Sequence, residues 1–246
     1  MKTITTLNFK VFSDNLEYIS INDKSKDCRV INTISPNSYG ISTKDKEFKN
    51  ALKETDFLVL DGVYFAFASL LLNGKNIKKN QGPDVFYHFM ERLNAEHKKA
   101  FFLGSSEKTL EMIKTNAKFS HPNILIDYFS PPFKDEFSEL DNQTMISKIN
   151  MFEPDILFIG MTCPKQEKWA IKHKKLINAG LTICVGNVFD WFAGTQKAIK
   201  PIWFKLRLAW LIRILIRPEI FKRNIGNQLL FFWHVILIFL KLKKYD

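Results

Sequence analysis

Six short apolar runs separated by stretches of helical pattern constrain this chain more than any other feature. They read "CRVINTI" at 28–34, "FLVLDG" at 57–62, "KAFFLG" at 99–104, "NILIDYF" at 123–129, "PDILFIG" at 154–160 and "LTICVGNVFDWF" at 181–192. Runs this short and this apolar suit strands buried on both faces, joined by helices into parallel βαβ units. The expected fold class is α/β, a Rossmann-like parallel sheet with helices on both faces. Helices are expected at 36–52 and 62–72, and from Ser105 or Ser106 onward, where a serine supplies the N-cap.

Ligands of such sheets bind beyond the carboxyl ends of the strands. The residues expected there are Thr33 and Ser35, Asp61 and Gly62, Gly104 and Ser105, Asp127 and Tyr128, Gly160 through Glu167, and Gly186 with Asp190. The Gly-Ser pair at 104–105, opening a helix, suits a phosphate through free backbone N–H groups and the helix dipole. The chain has no G-x-G-x-x-G and no G-x-x-x-x-G-K-[ST], which disfavours dinucleotide oxidoreductases and P-loop enzymes. It also lacks H-E-x-x-H, G-x-S-x-G and any D-x-D that would hold a divalent ion on a diphosphate, so neither a metal nor a cofactor is expected. The three cysteines, Cys28, Cys163 and Cys184, have neither ligand spacing nor a disulfide framework, which fits reduced thiols in a cytosol. The first residues, "MKTITTLNFKVFSDN", contain no apolar core of a signal peptide.

Charge is segregated. From Trp203 onward there are nine Lys or Arg against two acids, which is +7 of the net +11. These cations are interleaved with long aliphatic and aromatic residues, a pattern for an anionic bilayer surface rather than for nucleic acid. The longest apolar stretch, Leu229 to Leu242, is interrupted by His234 and Lys241 and falls short of the ~18–20 residues a spanning helix needs. The expected organisation is a catalytic core at 1–195 and a basic amphipathic C-terminal helical appendage at 196–246, with a cytoplasmic protein held peripherally on the inner face of the membrane.

Five blocks occur in order: "LDG" at 60–62, "KNQGPD" at 79–84, "FLGSSE" at 102–107, "GMTCPKQEKW" at 160–169 and "VGNVFDWFAGT" at 185–195. Through them the chain, from about residue 28 to about residue 223, resembles the bacterial WecG/TagA/CpsF glycosyltransferases. The resemblance implies transfer of an N-acetylhexosamine-type sugar (ManNAc, its uronate, or GlcNAc) from a UDP-sugar to a polyprenyl-diphosphate-linked acceptor. It implies inversion, no metal, and a place in cell-surface polysaccharide biosynthesis. The alternative is a membrane-surface nucleotide-binding scaffold without transferase activity. A homo-oligomer stays open, and no nucleic-acid partner is expected.

Asp61 stands where the family has its proposed catalytic base. A carboxylate at a strand end can take the proton of an attacking hydroxyl, and an Asp there can equally cap the following helix. Thr33 matches a family Thr that touches sugar or pyrophosphate, and Ser35 stands where Asn is common. Lys79, ahead of the Gly-x-Asp segment that ends in Asp84, replaces a family Arg and offers charge without a bidentate fork. The resemblance places Gly160, Pro164, Gln166 and Glu167 along the nucleotide-sugar site, with Glu167 also suited to favouring a helix N-terminus. Asp190, near Gly186, would accept from uracil N3–H or brace its own turn, and Tyr128 would stack on uracil or form a core edge. Trp210, Arg213, Pro218 and Arg223 match the family's tail pattern, whose arginines complete the site at the membrane; Arg213 and Arg223, with the neighbouring Arg217, are the tail candidates for the acceptor diphosphate. The tail departs from that pattern at Ala198-Ile199, Arg207, Ala209 and Arg217, which leaves the acceptor open.

Overall fold

The computed structural model describes residues 1–21, 28–196, 202–203, 212 and 218–243. Trp210, Arg213 and Arg217 lie outside the described residues. An antiparallel hairpin comes first, β1 (Thr3–Thr6) with β2 (Phe9–Phe12). The sheet strands follow as β3 (Arg29–Ile34), β4 (Phe57–Leu60), β5 (Lys99–Leu103), β6 (Leu125–Phe129), β7 (Ile156–Ile159) and β8 (Leu181–Cys184). They form one six-stranded sheet in the order β4-β3-β8-β7-β5-β6, with every pairing parallel. The expected α/β sheet with helices on both faces is what the chain forms. Strands β4, β7 and β8 are buried at every position, as two covered faces require, whereas the edge strand β6 is partly exposed throughout.

Helices α1 (Pro36–Ser42) and α2 (Lys46–Lys53) replace the single helix expected over 36–52. The break falls where Asp45 takes the N-cap of α2, accepting from the Phe48 N–H at 2.9 Å. Next come α3 (Val63–Asn73), α4 (Gly82–Ala95), α5 (Glu107–Ser120), α6 (Glu139–Phe152), α7 (Lys165–His173) and α8 (Val188–Ala193). The last, α9, runs from Pro218 to Phe239. Ser106, not Ser105, caps α5. The apolar run at 181–192 ends as a strand at Cys184, and its second half is α8.

Alternate strand residues feed opposite faces. Ile31, Val59, Phe102, Phe158 and Ile183 pack with α4, α5 and α8, and the Phe102 and Phe158 rings stack at 5.3 Å. On the other face Leu157 and Ile159 meet Met145 and Trp169 of α6 and α7. Beside them, Leu58 and Leu60 meet the hairpin, α3, and Phe231 and Val235 of α9. Helix α9 crosses α1 so closely that a Cβ on Gly40 would sit 2.4 Å from Asn227 Cβ and 2.6 Å from its Cα. Asn227 also donates to Asn37 at 3.1 Å and accepts from Lys44 at 3.2 Å. No helix among the described residues is long and apolar enough to cross a membrane.

Candidate active site

Crossovers leave β5 toward β6 and β7 toward β8, in opposite directions, so the sheet's topological switch lies between β5 and β7. A crevice opens at such a point beyond the strand ends. Its floor is backbone packed on backbone. A Cβ on Gly104 would lie 3.1 Å from the Gly160 carbonyl oxygen, and one on Gly160 would lie 2.2 Å from the Phe189 ring. Ser105, at φ +69°, stores local strain of the kind found at binding loops. Its carbonyl accepts from the Ser130 hydroxyl at 2.8 Å.

The stretch after β7 turns inward. Gln166 is buried; its Oε1 accepts from the Met161 N–H at 3.3 Å and its Nε2 donates to Glu167 Oε1 at 2.8 Å. Glu167 is 2% exposed, Oε2 has no hydrogen-bond partner, and burial pushes its carboxyl up from the ordinary value. Pro164 follows a cis peptide and precedes α7, and the Lys165 N–H is taken by the Thr162 carbonyl at 3.0 Å. Lys165 leaves the crevice: its Nζ donates to the Lys134 carbonyl and lies 3.8 Å from the Phe137 ring centroid. Lys168 pairs with Asp45 at 2.7 Å and Glu47 at 3.0 Å, and Trp169 Nε1 donates to Asn142 at 2.9 Å. The block thus locks α7 to α2 and α6 while its first residues wall the crevice.

A second group of polar residues lies three strands away, at the end of β4. The Asp61 N–H donates to the Ile34 carbonyl at 2.9 Å, which extends the β3–β4 pairing past the strand. Gly62, at φ +88° and ψ 164°, holds the N-cap position of α3 in a conformation that is essentially glycine's alone. Asp61 therefore stands one residue ahead of the cap position, partly exposed. A bridge between Leu60 and Lys79 and the Asn80 N–H donated to Leu60 O at 3.3 Å bring residues 79–80 alongside it. Thr33 pairs with Val59 on the neighbouring strand, and Gly82 packs against Val188 and the Val185 carbonyl, beside Gly186. Asn80 is the residue here that sequence reasoning missed. It is buried, and its Nδ2 donor has no partner. Its signal was its place inside the "KNQGPD" block.

Other expected site residues make contacts within the protein. Ser35 caps α1, accepting from the Ser38 N–H at 3.3 Å, and Asp84 accepts from the Gln81 N–H at 3.0 Å at the start of α4. Asp190 accepts from Thr195 at 3.1 Å and Gln196 at 3.2 Å, the turn-bracing arrangement. Asp127 and Tyr128 lie within β6 rather than past it. Polar residues are tolerated on a partly exposed edge, so the apolar run understated the strand. The Tyr128 ring faces Lys114 of α5 at 5.5 Å, and burial, then Glu107 and Glu111, push its hydroxyl up. Asp61 and Tyr128 stand on opposite edge strands, five strand spacings apart, or about 24 Å. Among the described residues, no three His, Cys, Asp or Glu side chains form a group that could hold a metal.

Among the described tail residues, Arg223 acts electrostatically on this region. Burial and the Glu167 carboxyl push the Cys163 thiol well up, and the charge of Arg223 on α9 acts against that shift. The basic start of α9 is thus within electrostatic range of the loop after β7.

The family model for the glycosyl transferase WecG/TagA/CpsF family matches residues 3–245, nearly the whole chain. The chain belongs to the WecG/TagA/CpsF family of glycosyltransferases. Two relatives carry the name N-acetylglucosaminyldiphosphoundecaprenol N-acetyl-beta-D-mannosaminyltransferase. The protein from Bacillus subtilis (strain 168) is 27% identical over 220 residues, covering 89% of this chain and 83% of the relative. That from Staphylococcus aureus (strain NCTC 8325 / PS 47) is 24% identical over 203 residues, covering 82% and 78%. The family match and the similarity to both relatives make this WecG/TagA/CpsF member an enzyme of the transferase class.

Proposed function

We propose that this glycosyltransferase moves an N-acetylhexosamine-type sugar, N-acetylmannosamine foremost, from a UDP-sugar to a polyprenyl-diphosphate-linked N-acetylglucosamine acceptor. The meeting of Asp61, Lys79 and Asn80 at the end of β4 carries this reading, in a chain whose relatives bear the names above. The acceptor hydroxyl attacks the anomeric carbon as the bond to UDP breaks, and its proton passes to Asp61. Inversion follows from this single displacement. Lys79 and the adjoining Asn80 amide stabilise the departing diphosphate without a metal, joined by Arg213, Arg217 and Arg223 of the tail, while the Gly104–Ser105 backbone, four strand spacings or about 19 Å from β4, borders the far end of the donor. Thr33 and Gly186 border the sugar, while Gln166, Glu167 and Pro164 hold the crevice wall in shape. In this reading residues 1–195 bind the donor and 196–246 bring the site to an anionic membrane on its cytoplasmic side.

Donor binding tests the proposal. In the presence of EDTA, UDP and UDP-sugars raise the thermal midpoint and CDP does not, and Lys79→Ala weakens UDP about tenfold. If no uridine nucleotide stabilises the protein with membrane lipid supplied, the reading is wrong.

A further inference from the structure

Helix α3 carries no charge from Val63 to Asn73. Phe65, Ala68 and Ser69 turn into the protein, yet the outward side is as apolar as the inward one, with Phe67 62% and Leu70 51% exposed and Leu71 exposed beside them. A water-facing helix buries one stripe and shows polar residues on the other. Helix α9 repeats the anomaly: Phe231 and Val235 enter the core, while Leu229, Ile236, Phe239 and Trp233, the last 57% exposed, face out. The two outer faces are continuous, because the Tyr64 ring meets Phe232 edge-on at 5.3 Å. Cations stand at the ends of these helices: Lys75 and Lys78 follow α3, Lys222 and Arg223 lie near the start of α9 with Glu219 the acid in its first turn, and Lys241 and Lys243 follow its end.

We infer that α3 and α9 together form one docking face for an anionic phospholipid bilayer, so that the catalytic core itself, and not the tail alone, enters the interface. Charge complementarity selects this occupant. A broad apolar face with a cationic border matches an acyl-chain region beneath anionic headgroups. A second copy of the chain would set the same cationic border against itself. The patch is also of a kind that a lone soluble protein rarely leaves open. Orientation follows from the chain: Asp61 immediately precedes Gly62 and α3, so the end of β4 sits at the bilayer and the β6 edge points away. This deepens the proposed function, since a lipid-linked diphosphate would then emerge next to Asp61.

The test uses the full chain in flotation with phosphatidylglycerol-containing vesicles and with pure phosphatidylcholine vesicles. Wild type is expected to float with the anionic vesicles. The variant Phe67→Gln/Leu70→Gln/Leu71→Gln is expected to lose at least about tenfold in bound fraction while keeping its circular dichroism and its UDP-induced thermal shift. If the triple variant lacks a native thermal transition, Phe67→Gln and Leu70→Gln are measured singly, each expected to lose roughly threefold. A folded variant that floats like wild type overturns the role of α3. So does a wild-type dimer, seen by light scattering, that the variant converts to monomer with no vesicle binding, because a second copy then covers the face. Wild type that binds UDP but no vesicles overturns this inference alone. Vesicle binding without uridine binding overturns only the transferase reading.

Discussion

Two carboxylates, Asp61 and Glu167, stand at the same end of one sheet in opposite settings, and only the first suits the base of the proposed reaction. Asp61 follows β4, is partly exposed, and has Lys79 and the unpartnered Asn80 amide alongside. Glu167 opens α7, is buried, and spends one oxygen on Gln166. The β7 side is a rigid wall made of close backbone contacts and inward-turned polar groups. The β4 side leaves Asp61 and Lys79 at the surface above the buried Asn80 amide, next to the apolar face of α3. A catalytic base needs access and a nearby cation. A wall needs its hydrogen bonds already made.

The same change of carboxylate to amide separates the two. Asp61→Asn should lower transfer by about 10²- to 10⁴-fold, with UDP binding and thermal stability close to wild type; single-turnover assays beside a thermal melt check this. Equal loss of stability and activity would make Asp61 a structural residue after all.

Close packing gives the next largest effect. Gly160→Ala drives a methyl group into the Phe189 ring and should cost about 1–3 kcal/mol, seen as a fall of roughly 2–10 °C in the thermal midpoint. Gly40→Ala meets the backbone of Asn227 instead. It should loosen α9 from α1, read as faster proteolysis within residues 218–240 at a smaller change in midpoint. If Gly40→Ala leaves cleavage unchanged, α9 has another anchor as strong as this crossing.

Glu167→Gln gives the smallest effect and a sign that depends on pH. Burial holds the folded carboxyl above its ordinary 4.5. Between those two values the unfolded chain releases a proton that the folded chain retains, so wild-type stability declines as pH rises from 4.5 through the folded value. The amide carries no such penalty and keeps the bond to Gln166. Glu167→Gln should therefore gain stability at neutral pH, a gain that vanishes near pH 4, with transfer nearly unchanged. Urea melts across pH check this, and a large loss of transfer would move Glu167 into the chemistry.

Each of the six apolar runs contains a sheet strand; a strand covered on both faces is apolar whatever its neighbours are, and the partly exposed β6 departs from that with Asp127 and Tyr128. The same rule misled at 181–192, where Phe189 is apolar as a helix residue packed on the sheet. Periodicity over so few residues does not separate the two. The N-terminal hairpin escaped notice because its turn uses Leu7 and Asn8 at positive φ instead of a glycine. Ser35 was legible as a polar group at a strand end and Asp84 through the "KNQGPD" block, but a cap and a ligand contact call for the same side chains, and the hydrogen bonds to Ser38 and Gln81 appear only in the fold. Asn80 carries no distinctive chemistry until its amide is seen buried without a partner.

The amino-acid sequence alone determined the layer architecture, the end of the sheet where chemistry must lie, the family, and the basic apolar tail, since all of these rest on local pattern and on ordered blocks. Which polar groups face the crevice and which are consumed inside the frame was decided by tertiary structure. So was the joining of α3 to α9 across more than 150 residues of chain. Hydrogen-bond capacity and apolar area are properties of each residue, but what satisfies or covers them depends on neighbours that only folding supplies.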